Sequence, residues 1–276
     1  MCLIAFSIGA HPRWPLLIAS NRDEHFERPT LPLQKWTSPA GQALISGRDG
    51  RSGGIWLGLG ERGRVAWLTN VREPVQQGGA RSRGELPLAW IDGTDSVQAF
   101  IDRLDPLAYP GFNLVVGDLV QQRWHWISNR RPGLQQMQAD WQQQPLSPGV
   151  YGLSNAFLDT PWPKTVKLRQ QLTQALVEVA QAEPLRERLW TALSDRQPAP
   201  DDALPRTGVP TETERALSSA RVLFPDGRYG TRSSTLLMVD APSDGPWQAQ
   251  MEERSWDPHT LGQSRRETLV VSGRPP

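Results

Sequence analysis

Cysteine is nearly absent: Cys2 is the only one in 276 residues. A single thiol excludes an internal disulfide framework and a cysteine-based zinc site. Histidine is scarce too, and His11, His25, His125 and His259 show neither an i,i+4 pair nor a grouping with carboxylates at ligand spacing, so no metal is expected. No apolar run approaches the roughly eighteen residues of a membrane helix. Thirty basic residues stand against twenty-nine acidic ones, a net charge of +1 with no basic stripe, and no nucleic-acid partner is expected. No Gly-x-Ser-x-Gly elbow is present, which disfavours a serine α/β-hydrolase. No internal repeat is found.

Residues 2–10, Cys-Leu-Ile-Ala-Phe-Ser-Ile-Gly-Ala, resemble the apolar part of a signal peptide. No basic segment precedes them and Pro12-Arg13-Trp14-Pro15 follows, so they read as a strand and the expected location is cytoplasmic. Tryptophan is plentiful, twelve against three tyrosines and six phenylalanines. Large apolar rings with one N–H to satisfy suit core and hairpin packing; the sharper alternative is a flat ligand such as a porphyrin or an acyl cofactor.

Short β-branched and aromatic runs cut by Gly and Pro predict strands at 3–8, 16–21, 43–46, 55–59, 65–70, 113–117, 123–128 and 150–154. One helix is predicted at 86–104, and two more between 163 and 193, separated at Pro184. Residues 197–211 read as a loop, a short helix is predicted at 212–219, and strands at 234–239, 248–254 and 267–271. Strands, helices and strands again fit an α+β fold in which helices pack on antiparallel sheets, with residues 1–276 as one domain closed by a C-terminal strand.

The run Gly58-Leu59-Gly60-Glu61-Arg62-Gly63 matches the dinucleotide fingerprint, but Val65-Ala66-Trp67-Leu68-Thr69 continues as a strand where a helix is required. A hairpin turn is expected there. Cys2 is different. Its small side chain permits removal of Met1, which leaves a thiol and a free α-amino group on one residue, a nucleophile and a base of similar ordinary pKa. A buried structural cysteine is the plain alternative. Nineteen residues on, Asn21-Arg22-Asp23-Glu24 ends an apolar run. Arg22 could hold a thiolate and Asp23 could accept hydrogen from the terminal ammonium. Asn70 and Asn155 each end a further apolar run, with amides able to donate to a developing oxyanion, and Arg232 stands among small residues at a strand entrance. Together these are the parts of a cysteine amidohydrolase.

With Cys2 and Asn21-Arg22-Asp23-Glu24, the segments Arg28-Pro29, Gly53-Gly54-Ile55-Trp56-Leu57-Gly58, Leu68-Thr69-Asn70, Arg83-Gly84, Phe112-Asn113-Leu114, Gly152-Leu153-Ser154-Asn155, Pro161-Trp162-Pro163-Lys164 and Tyr229-Gly230-Thr231-Arg232 occur in order. Over residues 2 to about 239 the chain resembles the NRDE family, which includes the transport and Golgi organization protein 2 proteins. That family resembles Ntn hydrolases, which implies a four-layer αββα sandwich of two antiparallel sheets. It also implies Cys2 as nucleophile, Arg22 with Asp23 as the tuning pair (Glu24 being the alternative acid), Asn70 with Asn155 as the oxyanion hole and Arg232 as a support. Ile55 stands where the family commonly has threonine.

Two functions follow from the resemblance. One is hydrolysis of an amide or thioester of a small acyl compound, with no cofactor required. The other is non-catalytic carriage of haem or of acyl-CoA or lipid in the same pocket. Oligomeric state is not legible in the sequence.

Overall fold

A computed structural model describes residues 2–73, 79–131, 138–242, 245–258 and 260–272. The predicted opening strands form: β1 (Cys2–Ile8) runs antiparallel to β2 (Leu16–His25), with Cys2 opposite Arg22 and Ile8 opposite Leu16. The next seven strands build a second sheet in chain order, each pairing antiparallel with the one before. They are β3 (Thr30–Thr37), β4 (Ala43–Asp49), β5 (Leu57–Gly60), β6 (Arg64–Asn70), β7 (Phe112–Asp118), β8 (Arg123–Arg131) and β9 (Gln138–Pro145).

The chain then returns to the first sheet. There β10 (Gly149–Leu153) pairs with β1, while β11 (Tyr229–Asp240), β12 (Gln248–Trp256) and β13 (Leu261–Val270) extend outward from β2. Its order is β10-β1-β2-β11-β12-β13.

Side chains alternate across a strand, and here both faces of each sheet are covered. Ile4, Phe6, Ile18 and Leu237 of the first sheet meet Val65, Trp67, Val115 and Trp124 of the second in an inter-sheet core. Phe6 and Trp67 touch edge to face, centroids 4.8 Å apart. The opposite face of the first sheet, including Leu3, Leu17, Leu236 and Met238, packs on Leu168, Leu172, Leu185 and Leu189. These last four belong to two helices, Pro163–Glu178 and Ala182–Leu193. The outer face of the second sheet is covered by α1 (Glu85–Asp92) and α2 (Val97–Asp102) through Leu86, Trp90, Ile91 and Phe100. The helices over the first sheet are therefore α3 and α4, and α5 (Thr211–Ala216) follows them. Each buried Leu or Phe contributes about 1.5–3 kcal/mol, so three apolar layers hold this αββα sandwich.

Several predicted elements change. The helix expected at 86–104 is two, because the chain turns extended at Gly93, with ψ 175°. Pro184 lies in the first turn of α4, where its missing N–H has no partner to lose, and the break from α3 falls at 179–181 instead. The predicted loop 197–211 contains a short 3₁₀ turn at Asp201–Ala203. Gly63 donates to the Gly60 carbonyl between β5 and β6, so the glycine-rich run is a hairpin turn.

Candidate active site

Cys2 follows the period of its strand. It lies on the inter-sheet face with Ile4 and Phe6, at the end of β1, so the thiol sits where the apolar layer gives way to a cavity of about 130 Å³. Cys2 is 8% exposed, and burial is the main influence that pushes its thiol pKa up; Asp23 adds to the rise while Arg22 opposes it. The resting group is a thiol. Attack by it requires a base.

The tetrapeptide at the end of β2 is split by the same alternation. Arg22, paired with Cys2 across the ladder, shares its inter-sheet face. Its guanidinium lies 4.4 Å from the centroid of Trp56 and forms ion pairs with Asp49 at 3.2 Å and Glu24 at 3.8 Å. Asp49 is the centre of this network. It accepts from Arg28 Nε at 2.5 Å and from the Ser52 amide at 2.9 Å. Burial favours a higher Asp49 pKa, but the Arg28 and Ser52 hydrogen bonds with the Arg28 and Arg22 charges outweigh it and hold the carboxyl at about 2. Asp49 was not among the residues read from sequence. Its one signal is Asp49-Gly50 with Ser52 three positions on, an Asx turn.

Asn21 and Asp23 occupy the other face. Asn21 is fully buried; its Nδ2 donates at 2.8 Å to the carbonyls of Leu193 and Ala220, and its Oδ1 accepts from Ser234. It clamps β2 to the end of α4. Asp23 Oδ1 accepts from Thr231 Oγ1 at 2.7 Å. A register shift at Arg232 makes that contact possible: the extra residue lets Thr231 fall opposite Asp23 after Ser233 has paired with Arg22. Nearby is Lys164, 4% exposed, whose Nζ forms no hydrogen bond among the described residues. Burial pushes Asp23 up and Lys164 down to about 8, and in each case their mutual attraction resists the shift. The expected contact of Asp23 is with the α-ammonium that Cys2 gains when Met1 is removed, and Met1 itself lies outside the described residues.

The asparagines divide their tasks. Asn70 lines the cavity, and its carboxamide makes no hydrogen bond with the described residues. Asn155 is 1% exposed, and its Nδ2 donates to the Asn70 carbonyl at 2.9 Å. The segment before it ties the two sheets together at the nucleophile: Ser154 Oγ donates to the Cys2 carbonyl at 3.0 Å, and Thr69 Oγ1 donates to the Ser154 carbonyl at 2.6 Å. Arg232 Nη1 donates to the carbonyls of His25, Phe26 and Arg28, so this arginine holds the turn that carries Arg28. Ile55 is buried in the cavity wall, beside Trp56. A larger cleft of about 1310 Å³ adjoins the cavity through Glu24, Arg28, Asn70 and Arg83, and reaches Phe26, Leu217, Phe224 and Tyr229. No helix among the described residues is long and apolar enough to cross a membrane.

Known proteins share this fold. A conjugated bile acid hydrolase from Clostridium perfringens, solved as a mutant, superposes with TM-score 0.50 over 99% of this chain and 97% of that one, at 9% identity, a likeness of fold. The architecture is that of the Ntn hydrolases. The Transport and Golgi organization protein 2 homolog of Bos taurus is 33% identical over 258 residues, 87% of this chain and 89% of the relative. Transport and Golgi organization protein 2 of Drosophila melanogaster is 30% identical over 263 residues, 87% of this chain and 88% of the relative. The sequence model of the Transport and Golgi organisation 2 family matches residues 1–258, and the chain belongs to that family.

Proposed function

We propose that the protein hydrolyses an amide or thioester of a small acyl compound, with Cys2 as an N-terminal nucleophile. The observation that carries this reading is the sole cysteine at the floor of a charged cavity, beside Arg22 and the unengaged carboxamide of Asn70. After loss of Met1, the α-amino group takes the Sγ proton and sulfur attacks the acyl carbonyl carbon. The carbonyl electrons move to oxygen, which accepts from Asn70; the C–N or C–S bond then breaks and the ammonium proton goes to the leaving group. Water, deprotonated by the same amine, cleaves the acyl-enzyme thioester. Arg22 stabilises negative charge on sulfur, and Asn155 and Arg232 support the cavity walls. Such a thiol needs a reducing compartment, which fits the cytoplasm.

The test is turnover of an amide and thioester panel by three forms: the processed protein, Cys2→Ala, and a protein whose amine is blocked by an uncleaved N-terminal extension. Turnover is expected only in the first. Equal rates in all three overturn the mechanism.

The size of the outer cleft favours a second reading, carriage of haem or acyl-CoA, with Phe26, Phe224 and Tyr229 against the ligand. That reading expects saturable binding, followed by absorbance or thermal shift, that persists in Cys2→Ala.

A further inference from the structure

Five arginines line the cavity and its outer cleft: Arg22, Arg28, Arg72, Arg83 and Arg228. Three of them are neutralised: Arg22 and Arg28 share Asp49, and Arg72 meets Glu214 at 2.5 Å. Arg228 lines only the outer cleft, whereas Arg83 also lines the cavity of Cys2; among the described residues no carboxylate lies within ion-pair distance of Arg83, and its one hydrogen bond runs from Nη1 to the Gly111 carbonyl at 2.9 Å. Glu73, whose charge acts on Arg83, is already engaged by Arg130 and by the Gly111 amide, and Glu85, two residues on, by Arg81 and Tyr109. A partly buried guanidinium without a counter-charge is costly unless something completes it.

The backbone holds Arg83 in place. The Ile55 amide donates to the Gly84 carbonyl at 2.8 Å, and a Cβ on Gly54 would stand 2.5 Å from the Gly84 carbonyl carbon, so residues 83–84 are seated directly on the 54–55 turn. That close approach requires glycine at 54. The side chain lines both the small cavity that holds Cys2 and the large cleft outside it. It therefore stands at the junction between the reacting group and the remainder of a ligand.

We propose that Arg83 binds an anionic group of the substrate, a carboxylate or a phosphate a few bonds from the scissile carbonyl, through its free N–H groups. The inference rests on the hydrolase reading and names its substrate class: anionic acyl compounds. A planar guanidinium offers such an anion two parallel hydrogen bonds, which a neutral substrate cannot replace.

Iodoacetate and iodoacetamide test this, because they deliver the same alkyl group to Sγ and differ in carrying a carboxylate or an amide. The ratio of their alkylation rates at Cys2 is expected to fall about tenfold in Arg83→Gln, the size of one charge-assisted hydrogen bond, and to be partly retained in Arg83→Lys. An unchanged ratio in both variants overturns the proposal. Protection of wild-type Cys2 by acetate more than by inorganic phosphate points to a carboxylate, and the reverse to a phosphate ester; equal protection of wild type and Arg83→Gln overturns the site. If Cys2 is inert to both reagents, the hydrolase reading fails and calorimetric titration with acetate and phosphate decides the anion site: binding lost in Arg83→Gln supports it, and equal binding refutes it.

Discussion

The two faces of β2 at its charged end carry similar side chains and treat them in opposite ways. On the inter-sheet face, Arg22 and Glu24 join Arg28 and Asp49 at the mouth of a cavity, and the charges are kept, with Asp49 held at about 2. On the helix face, Asn21 and Asp23 are sealed beneath α3 and α4, and burial drives Asp23 up and Lys164 down to about 8. One tetrapeptide is thus two devices. Arg22 and Glu24 set the electrostatics of the pocket, and Asn21 and Asp23 secure the strand that carries them.

The largest expected effect breaks the sealed face. Asn21→Ala leaves two carbonyls and a serine hydroxyl without their buried partner, and a loss of about 3–5 kcal/mol in denaturant unfolding is expected. A loss under about 1 kcal/mol would mean that the clamp is dispensable. Lys164→Met comes next. Lys164 faces Asp23, Arg72, Cys2 and Glu214, and its folded pKa of about 8 lies below its ordinary 10.5. Between these values the unfolded chain binds the extra proton, so Lys164 makes the folded state more stable as pH rises from about 8 to 10.5, by roughly 3 kcal/mol. The wild type minus Lys164→Met difference, followed by unfolding across that window, should show the rise; a flat difference would contradict it.

On the open face, effects are smaller. The depressed Asp49 pKa contributes stability that is present above its ordinary value of 3.8 and is lost as pH falls towards about 2. Allowing for screening at the cavity mouth, the contribution is about 1–2 kcal/mol, and Asp49→Asn should lack that step in acid unfolding. The smallest effect is kinetic. Arg22→Met removes an influence that lowers the Cys2 pKa, so the pH profile of Cys2 alkylation should move to higher pH while Asp49 remains paired with Arg28. A profile that stays in place would separate Arg22 from the thiol.

What could be read from the sequence follows burial. Strands β1, β2, β6 and β7 are covered on both faces and announce themselves as apolar runs. The two strands missed, β3 and β9, are the edges of the seven-stranded sheet, and β13, whose predicted span was too short, is an edge of the other. Edge strands are polar where they face water, and β3 even carries Pro32, so hydrophobic alternation fades there. In the site, the placement of Cys2 beside Arg22 was legible because both are in one short hairpin. The opposed directions of Arg22 and Asp23 were also encoded, in the two-residue period of β2, although the resemblance grouped them as a pair. Asp49, Lys164 and Thr231 reach the site through cross-sheet packing, the start of α3 and a bulge, none of which has a local sequence signal strong enough to assign a role.

The most direct test of an N-terminal nucleophile is the intact mass and peptide map of the purified protein before and after a brief reaction with a p-nitrophenyl acyl ester. Loss of Met1 and a single hydroxylamine-labile acyl group on Cys2 are expected. A retained Met1 with no adduct at Cys2, under conditions in which the ester is still turned over, would contradict it.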